Sequence, residues 1–212
     1  MEQPYKLTEF FNNCKKYSHY QNINECPFEI GKWKINKKET IPYSKWIIKN
    51  GNIPSLKCAI DLPYKEMFAE ASNHLEDYVK HREDDNTGWS SYALHGQGAI
   101  YTQPANCYPE NNSPYDWTEI ADSCPVTVEW LKDTWPFREF QRVRFMLLEP
   151  NGYIMPHRDF KVRELSAFNV ALNNPTGVEF AMEDAGIVPF EEGEARAIDV
   201  GRYHAVVNNS NE

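Results

Sequence analysis

The chain of 212 residues carries a net charge of −9, and its 41% hydrophobic and 25% charged residues are typical of a folded globular protein rather than a disordered one. Its length suits one domain with a substantial core, no apolar run is long enough to cross a membrane, and the N-terminus lacks the apolar stretch of a signal peptide. Five cysteines with no CxxC pair suggest neither a disulfide framework nor structural zinc, so we expect reduced thiols and a cytoplasmic location.

The first 60 residues differ from the rest of the chain in charge. They carry 10 Lys and 5 Glu, a balance of +5, whereas the remaining residues carry −14. Lysines between aromatic residues can contact nucleic acid, but the acidic balance of the whole chain favours a solvated surface, and we do not expect nucleic acid as a partner. Short aromatic and β-branched runs separated by Asn, Gly and Pro predict short strands and loops. We therefore predict that residues 1–60 are a basic extension packed on a domain formed by residues 61–212.

Two segments in the middle of the chain have helical spacing. Residues 61–84 place apolar side chains three and four positions apart, with Asp61 as a candidate cap. This stripe, which we predict to lie in the core, consists of Met67, Phe68, Ala71, Leu75, Tyr78 and Val79. Residues 123–135 predict a second, shorter helix, with Ser123 as its cap and Pro125 as an early helical position.

From about residue 140 the pattern changes to strands. The predicted strands are, in order, "QRVRFMLLEP", "YIMPH", "AFNVAL", "VEFAM", "EARAIDV" and "HAVVNN", and "EPNGY" predicts a turn. Several short strands at close spacing indicate a sandwich or a barrel. With the two helices as a supporting layer, the predicted fold class is α+β with a β-sandwich core.

The segment "MPHRDF" is a candidate metal site. In extended backbone, His157 and Asp159 project to the same face, close enough to hold one ion. His81 and Glu83 offer the same residue types, but at the end of the predicted helix their side chains would diverge. His204, at the start of the last predicted strand, is the candidate third ligand, and two imidazoles with one carboxylate are typical of non-haem Fe(II) oxygenases. The alternative is a surface His–Asp pair and an unrelated core histidine.

Three segments carry a family resemblance. They are "VRFMLLEPNGYIMPHRDF", with its strand, turn and His-x-Asp; "VALNNPTGVEF", with its Asn-Pro; and "EEGEARAIDVGRYHAVVNNS", with its Gly-Glu, Ile-Asp and distal His followed four residues on by an Asn. In this order they resemble the aspartyl/asparaginyl β-hydroxylase-like branch of the Fe(II)/2-oxoglutarate-dependent dioxygenases. With "GWSSYALHG" upstream, the resemblance covers residues 87–212. It implies a double-stranded β-helix core (jelly roll, cupin-like) with supporting helices.

The resemblance also implies an activity. His157, Asp159 and His204 would be the catalytic residues that bind Fe(II), with 2-oxoglutarate as co-substrate and O2 as oxidant. The enzyme would convert 2-oxoglutarate to succinate and CO2 while it hydroxylates a free amino acid or an Asp/Asn-type side chain of a peptide. The partners expected are therefore a small-molecule or peptide substrate and O2, without a membrane.

The residues that would bind the co-substrate depart from the family pattern. The family usually has an Arg about ten residues after the distal His, which pairs with a carboxylate of 2-oxoglutarate. Because this chain ends at Glu212, we expect a fragment that stops short of that Arg. Arg144 is the internal candidate for the carboxylate contact, and a solvated surface Arg is its alternative interpretation. Weaker candidates with the same alternative are Arg163, Arg196 and Arg202.

Two asparagines are further candidates for contacts with the co-substrate. Asn169 stands where many members carry a His, and the resemblance implies a hydrogen bond to 2-oxoglutarate. Asn208 follows the distal His by four residues and is included in the same set. The alternative interpretation of Asn169 is a polar residue that lines the mouth of a barrel.

Two other functions remain open at this point. One is a non-catalytic jelly-roll module whose metal is structural or absent and which binds a partner; the missing downstream Arg favours it. The other is a cupin-like metalloenzyme that does not use 2-oxoglutarate, although such sites usually recruit extra His or Glu ligands and no His lies between Asp159 and His204. The sequence does not identify the substrate.

Overall fold

The computed structural model describes residues 4–16, 54–58, 60–81, 87–103, 113–135, 140–159, 161 and 165–212. Within these residues there are three α-helices, namely α1 (Tyr5–Cys14), α2 (Tyr64–Ser72) and α3 (Pro125–Asp133). The strands are β1 (Ser55–Lys57), β2 (Val79–Lys80), β3 (Trp89–Gly96), β4 (Asp116–Trp117), β5 (Val143–Leu148), β6 (Tyr153–His157), β7 (Leu165–Val170), β8 (Val178–Met182), β9 (Gly186–Val188), β10 (Ala195–Asp199) and β11 (His204–Asn208).

Every strand pair in the described residues is antiparallel, and the strands form three open sheets rather than a closed barrel. The fold is therefore a mixture of α-helix and antiparallel sheet, as the sequence predicts. The predicted strands correspond to β5, β6, β7, β8, β10 and β11, and the predicted turn contains Asn151 in the left-handed conformation (φ 61°). None of the described helices is both long and apolar enough to cross a bilayer.

The chain divides into two compact units. The metal-site unit takes its described residues from Met1–Asp61 and Pro150–Glu212, and the helix-pair unit consists of Leu62–Glu149. The predicted division between an extension and a domain at residue 60 stays a prediction.

The metal-site unit is a sandwich of two sheets. One sheet has the order β1-β10-β7 and the other β6-β11-β8-β9. Apolar side chains from both sheets meet in one core cluster, which contains Met182, Ala185, Val188, Ile198 and Val200 with Ala167, Phe180 and Phe190 packed against it. The faces that carry these side chains are therefore the inner faces of the two sheets.

Helix α1 covers the outer face of the β6-β11-β8-β9 sheet. Leu7, Phe11 and Cys14 lie four and three residues apart and are buried against Ala205 and Val207 of β11. The prediction of strands and loops for the start of the chain is therefore wrong for residues 5–14, because this spacing matches a helix and its apolar stripe is buried. Residues 17–53 lie outside the described residues.

The helix-pair unit contains β2, β3, β4 and β5 in one sheet, in which β5 pairs with most of β3. Helices α2 and α3 are joined by one carboxylate. Glu70 of α2 accepts hydrogen bonds from the backbone N–H groups of Val126 and Thr127, at 2.7 and 3.0 Å, and from the Thr127 hydroxyl at 2.6 Å. The backbone N–H groups of Val126 and Thr127 lie in the first turn of α3 and have no acceptor within their own helix, so α2 supplies it.

The predicted helix over residues 61–84 is correct in position and too long. Helix α2 ends at Ser72, whose hydroxyl donates to the carbonyl of Phe68 at 2.8 Å, and Val79 belongs to a strand. The polar run that starts at Ser72 competes for backbone hydrogen bonds and favours a helix end. Two of the predicted core residues, Phe68 and Leu75, are 42% and 59% exposed.

The predicted caps of the two helices are wrong. Pro63 rather than Asp61 precedes α2. Helix α3 is confirmed, with Pro125 in its first turn, but its cap position is Cys124. The hydroxyl of Ser123 donates instead to the carbonyl of Ile120, within a short 3-10 helix, so it is not available to the first turn of α3.

Candidate metal centre

Two paired strand ends bring the histidines of the candidate site together. His157 is the last residue of β6, His204 is the first residue of β11, and the two lie directly opposite each other in the antiparallel pair. Asp159 follows β6 and its backbone N–H donates to the carbonyl of Val200 at 2.9 Å, just after β10. The register of β11 and the chain segment after β10 therefore set the positions of all three side chains.

A β-bulge turns His157 toward the inside of the sandwich. Between the pairs His204–His157 and Val206–Ile154, β6 contains one residue more than β11. Met155 packs with the cluster under α1, so a regular strand would place His157 on that same outer face. The extra residue reverses this alternation, and His157 joins His204 on the inner face. Pro156 lies within the bulge, where a strand tolerates a residue without a backbone N–H.

The three side chains are close enough to hold one ion. One ligand atom from each of His157, Asp159 and His204 lies within 4.8 Å of the others. The His157 Nε2 and Asp159 Oδ1 atoms are 3.7 Å apart, and the two imidazole centroids are 4.4 Å apart at an interplanar angle of 53°. Ligands bound at about 2.0–2.2 Å on one face of an ion lie about 3 Å apart, so the three side chains would have to rotate closer together to bind one metal.

Both imidazoles are oriented by backbone carbonyls. The Nδ1 atom of His157 lies 2.8 Å from the carbonyl oxygen of Met155, and that of His204 lies 2.9 Å from the carbonyl oxygen of Arg202. A carbonyl can only accept, so each Nδ1 donates its hydrogen, and in a neutral imidazole Nε2 then carries the lone pair. Metal-binding histidines in proteins are held in this way.

Burial favours the neutral form of His204. Desolvation, and then the nearby His157, lower the pKa of His204 below its usual value, and a neutral imidazole is the form that binds metal. The ring of Phe180 stacks on His204 with centroids 5.7 Å apart and planes within 6°. Asp159 is exposed, whereas His204 is buried, so an ion would reach the site from the side of Asp159.

The predicted co-substrate residues lie in different places. Asn169 is on β7, opposite Arg196 of β10. Asn208 is buried at the end of β11, and its amide oxygen accepts from the backbone N–H and the hydroxyl of Ser210, at 3.0 and 2.6 Å. Arg144 is on β5 in the helix-pair unit, where its Nη1 donates to the carbonyl of Thr102 at 2.6 Å. Nothing in these contacts tests their predicted roles.

Two of the weaker arginine candidates are buried in ion pairs. Arg196 Nη2 lies 2.8 Å from Glu194 Oε1, and Arg202 Nε lies 3.0 Å from Asp199 Oδ2. Arg163 lies outside the described residues. The prediction for Arg202, a possible contact with a carboxylate of 2-oxoglutarate, misses that its backbone carbonyl orients His204. The signal was its place two residues before a candidate ligand, in the segment that links two strands.

The prediction that the helix ends at His81 is wrong. His81 is not on a helix; it follows β2, stacks on Trp89 with centroids 3.8 Å apart, and places its Nδ1 3.1 Å from the Ser91 hydroxyl. Glu83 lies outside the described residues. Among the residues that the structure describes, His157, Asp159 and His204 are the one group of three His, Cys, Asp or Glu side chains close enough to share an ion.

The chain matches a known protein family over the residues of the candidate metal centre. No curated protein is significantly similar to the chain. The family model for aspartyl/asparaginyl beta-hydroxylase matches residues 59–212, which include both candidate histidine ligands and the carboxylate between them in sequence. The suspected family is thereby confirmed, and its members are hydroxylases by name. The chain belongs to the aspartyl/asparaginyl beta-hydroxylase family.

Proposed function

We propose that the protein is a non-haem Fe(II)- and 2-oxoglutarate-dependent hydroxylase of an amino acid or of Asp/Asn-type side chains in a peptide. The observation that carries the proposal is the convergence of His157, Asp159 and His204 within 4.8 Å on the inner face of a sandwich, in a member of a hydroxylase family. Each histidine has its Nδ1 bonded to a backbone carbonyl, so Nε2 is the ring nitrogen that would bind the metal.

The donor set fits iron. Two imidazole nitrogens and one carboxylate on one side of an ion leave the other coordination positions open, which is the arrangement of Fe(II) oxygenases. Bound Fe(II) would supply the activation of O2 and the hydroxylation. The chain itself holds the ligands in place through the bulge in β6 and the carbonyls of Met155 and Arg202, and it shields one side of the site with Phe180.

The jelly roll is part of the proposal, and the path of the chain supports it. From β6 onward the chain passes from one sheet to the other: β6 is in the four-stranded sheet, β7 in the three-stranded sheet, β8 and β9 in the four-stranded, β10 in the three-stranded and β11 in the four-stranded sheet. Repeated crossing between two antiparallel sheets is typical of jelly rolls. The site lies where strand ends of this sandwich meet the segment after β10.

Asn169 is the proposed co-substrate residue for which the strand pattern gives the clearest support. Ala167 and Ile198 are cross-strand partners that pack in the core between the sheets. Asn169 and Arg196 are the next pair on the same face, so both residues lie on the inner face of the sandwich. A carboxylate that entered between the sheets would meet an amide there. The proposed contact from Arg144 rests on the place of its strand just before the metal turn, and that from Asn208 on the family resemblance.

The experiment that tests the proposal is binding and turnover of 2-oxoglutarate. We expect that the iron-loaded protein, without oxygen, gains a visible charge-transfer absorption when 2-oxoglutarate is added, and that it forms succinate when O2 is admitted. His157→Ala should abolish both signals, whereas His74→Ala, which removes a partly exposed histidine paired with Asp77, should keep both. A wild-type protein that binds iron but not 2-oxoglutarate would show the proposal to be wrong.

A non-catalytic metal-binding module is the second candidate. The observation that favours it is that Arg196 and Arg202, two buried cations of this unit, are already paired with Glu194 and Asp199. A structural metal contributes to folding, so metal removal would then lower the unfolding midpoint strongly. In the catalytic case, metal-free protein should stay folded, and the two candidates are separated by thermal unfolding with and without metal.

A further inference from the structure

We propose that the buried ion pair between Asp199 and Arg202 is a positioning device for the metal ligands, and that the four residues 199–202, the clamp turn, hold two of the three ligands in place. The inference rests on the metal centre of the proposed function. Arg202 then has a role other than binding a carboxylate of 2-oxoglutarate, because its guanidinium already donates to Asp199 inside the turn.

The clamp turn is closed by its own side chains as well as by its backbone. The backbone N–H of Arg202 donates to the carbonyl of Asp199 at 3.1 Å, as in a β-turn. The two carboxylate oxygens of Asp199 then accept from the Gly201 N–H at 3.1 Å and from Arg202 Nε at 3.0 Å. One oxygen of the Asp199 carboxylate therefore fixes the backbone of the turn, and the other fixes the side chain of Arg202.

The turn is also tied to the neighbouring strands. The N–H of Asp199 donates to the carbonyl of Pro54 at 2.9 Å, next to β1. Arg202 Nη1 donates to the carbonyl of Glu183 at 3.4 Å, just after β8. The side chains of Asp199 and Arg202 are 1% and 5% exposed. Breaking such a buried pair leaves an uncompensated charge, so the pair strongly disfavours other conformations of the turn.

Two metal ligands depend on carbonyls of this turn. The carbonyl of Val200 accepts the backbone N–H of Asp159 at 2.9 Å, and the carbonyl of Arg202 accepts the Nδ1 hydrogen of His204 at 2.9 Å. His157 differs, since its Nδ1 donates to Met155 of its own strand. A shift of the turn would therefore move Asp159 and rotate His204 together while His157 stays in place.

The structure offers a matched control in the same unit. Glu194 and Arg196 form a second buried ion pair at 2.8 Å, with side chains 2% and 7% exposed. Arg196 donates to the carbonyl of Pro189 and not to a residue of the clamp turn. Replacing either pair removes the same two charges from the same sandwich, but only the clamp pair touches the groups that orient the ligands.

The experiment compares two double variants, Asp199→Asn with Arg202→Gln and Glu194→Gln with Arg196→Gln. Each is titrated with Co(II) alone, followed by the visible absorption of the bound ion, and its folding is checked by circular dichroism. The clamp variant should bind Co(II) about 10–100-fold more weakly and with an altered spectrum, because partners behind metal ligands have effects of this size. The control variant should keep the wild-type affinity and spectrum, even if both variants unfold at lower temperature.

A single substitution covers the case in which the clamp variant does not fold. Arg202→Lys keeps the buried positive charge but lacks the planar group that reaches both Asp199 and Glu183, so we expect a weaker loss of Co(II) affinity in the same direction. Equal affinity for wild type and folded Arg202→Lys, or equal losses in the clamp and control variants, would overturn the role of the clamp turn. A wild-type chain that binds no Co(II) would instead overturn the metal centre itself.

Discussion

The two compact units both bury histidines, and they use them differently. In the helix-pair unit, His81 stacks on Trp89, and His95 lies edge-on to Trp117 with its Nδ1 3.3 Å from the carbonyl of Gln141. In the metal-site unit, His157 and His204 also have Nδ1 bonded to carbonyls, but their rings face each other and a carboxylate. A bonded Nδ1 alone therefore does not identify a candidate metal ligand, whereas the convergence of the two rings on a carboxylate does.

The largest expected effect is on metal affinity, which should fall when His157 is replaced but not when His81 is replaced. His157→Ala removes one of three ligands, so we expect metal affinity to fall by more than the roughly 10–100-fold that follows from changes behind the ligands. His81→Ala should leave metal affinity unchanged and lower the stability of the helix-pair unit, because it leaves a gap against Trp89. Isothermal titration with Co(II) and thermal unfolding of both variants measure the contrast. Equal metal affinities in the two variants would contradict it.

The two units also pack their helices through different contacts: α1 is held by apolar side chains, and α2 and α3 are joined by a carboxylate. Loss of the apolar contact should have the next largest effect. Phe11 of α1 is 6% exposed against the outer face of the sheet that carries both candidate histidines. Phe11→Ala should lower the free energy of unfolding by about 3–5 kcal/mol, as is usual for buried Phe. Tyr5→Ala on the same helix, at a side chain 78% exposed, should change it little. Urea unfolding followed by circular dichroism measures both, and a similar small loss in both variants would mean that α1 is not packed as described.

In the helix-pair unit the corresponding contact is polar, and its effect should be smaller. Glu70→Ala leaves the first backbone N–H groups of α3 without their acceptor, which we expect to cost about 1–3 kcal/mol. Glu66→Ala, at an exposed carboxylate of the same helix, is the control and should be close to neutral. Metal affinity should stay at the wild-type value in both variants. A metal affinity that falls with Glu70→Ala would show that the two units are energetically coupled.

What the sequence predicts well in the metal-site unit is what depends on local sequence pattern. Strands β6, β8, β10 and β11 are runs of apolar and β-branched residues between breakers, and the metal trio follows from the strand context of "MPHRDF" and from one distant His. The pairing of His204 with His157 depends on the tertiary structure, but the spacing of strand-like runs makes it a reasonable expectation.

What the sequence does not predict depends on contacts between distant residues. Helix α1 was missed because its three buried side chains lie among polar and aromatic residues, and only the sheet under them shows which face matters. The extent of α2 is overestimated because Leu75, Tyr78 and Val79 fit the helical spacing although the helix ends at Ser72. The bulge at Pro156 and the carbonyls of the clamp turn cannot be read from spacing, since they are backbone features of the assembled sandwich.

The smallest expected effect concerns a buried thiol of the metal-site unit. Burial, and then the nearby Glu183 and Asp184, raise the pKa of Cys14 from its ordinary value of 9.0 to about 11. Folding therefore favours the neutral thiol. This contribution is fully present below pH 9 and is lost as the pH rises toward about 11, where the folded thiol also ionises.

The measurement is the free energy of unfolding of wild type and Cys14→Ala at pH 8 and at pH 9.5. Wild type should lose less than about 1 kcal/mol more than the variant over this interval, because only the unfolded wild-type thiol releases its proton there. Cys124, a fully buried thiol of the helix-pair unit whose pKa is also raised by burial, is present in both proteins and cancels from the difference. Parallel pH profiles would mean that the Cys14 thiol ionises as readily in the folded chain as in the unfolded one, which is incompatible with its burial between α1 and the sheet.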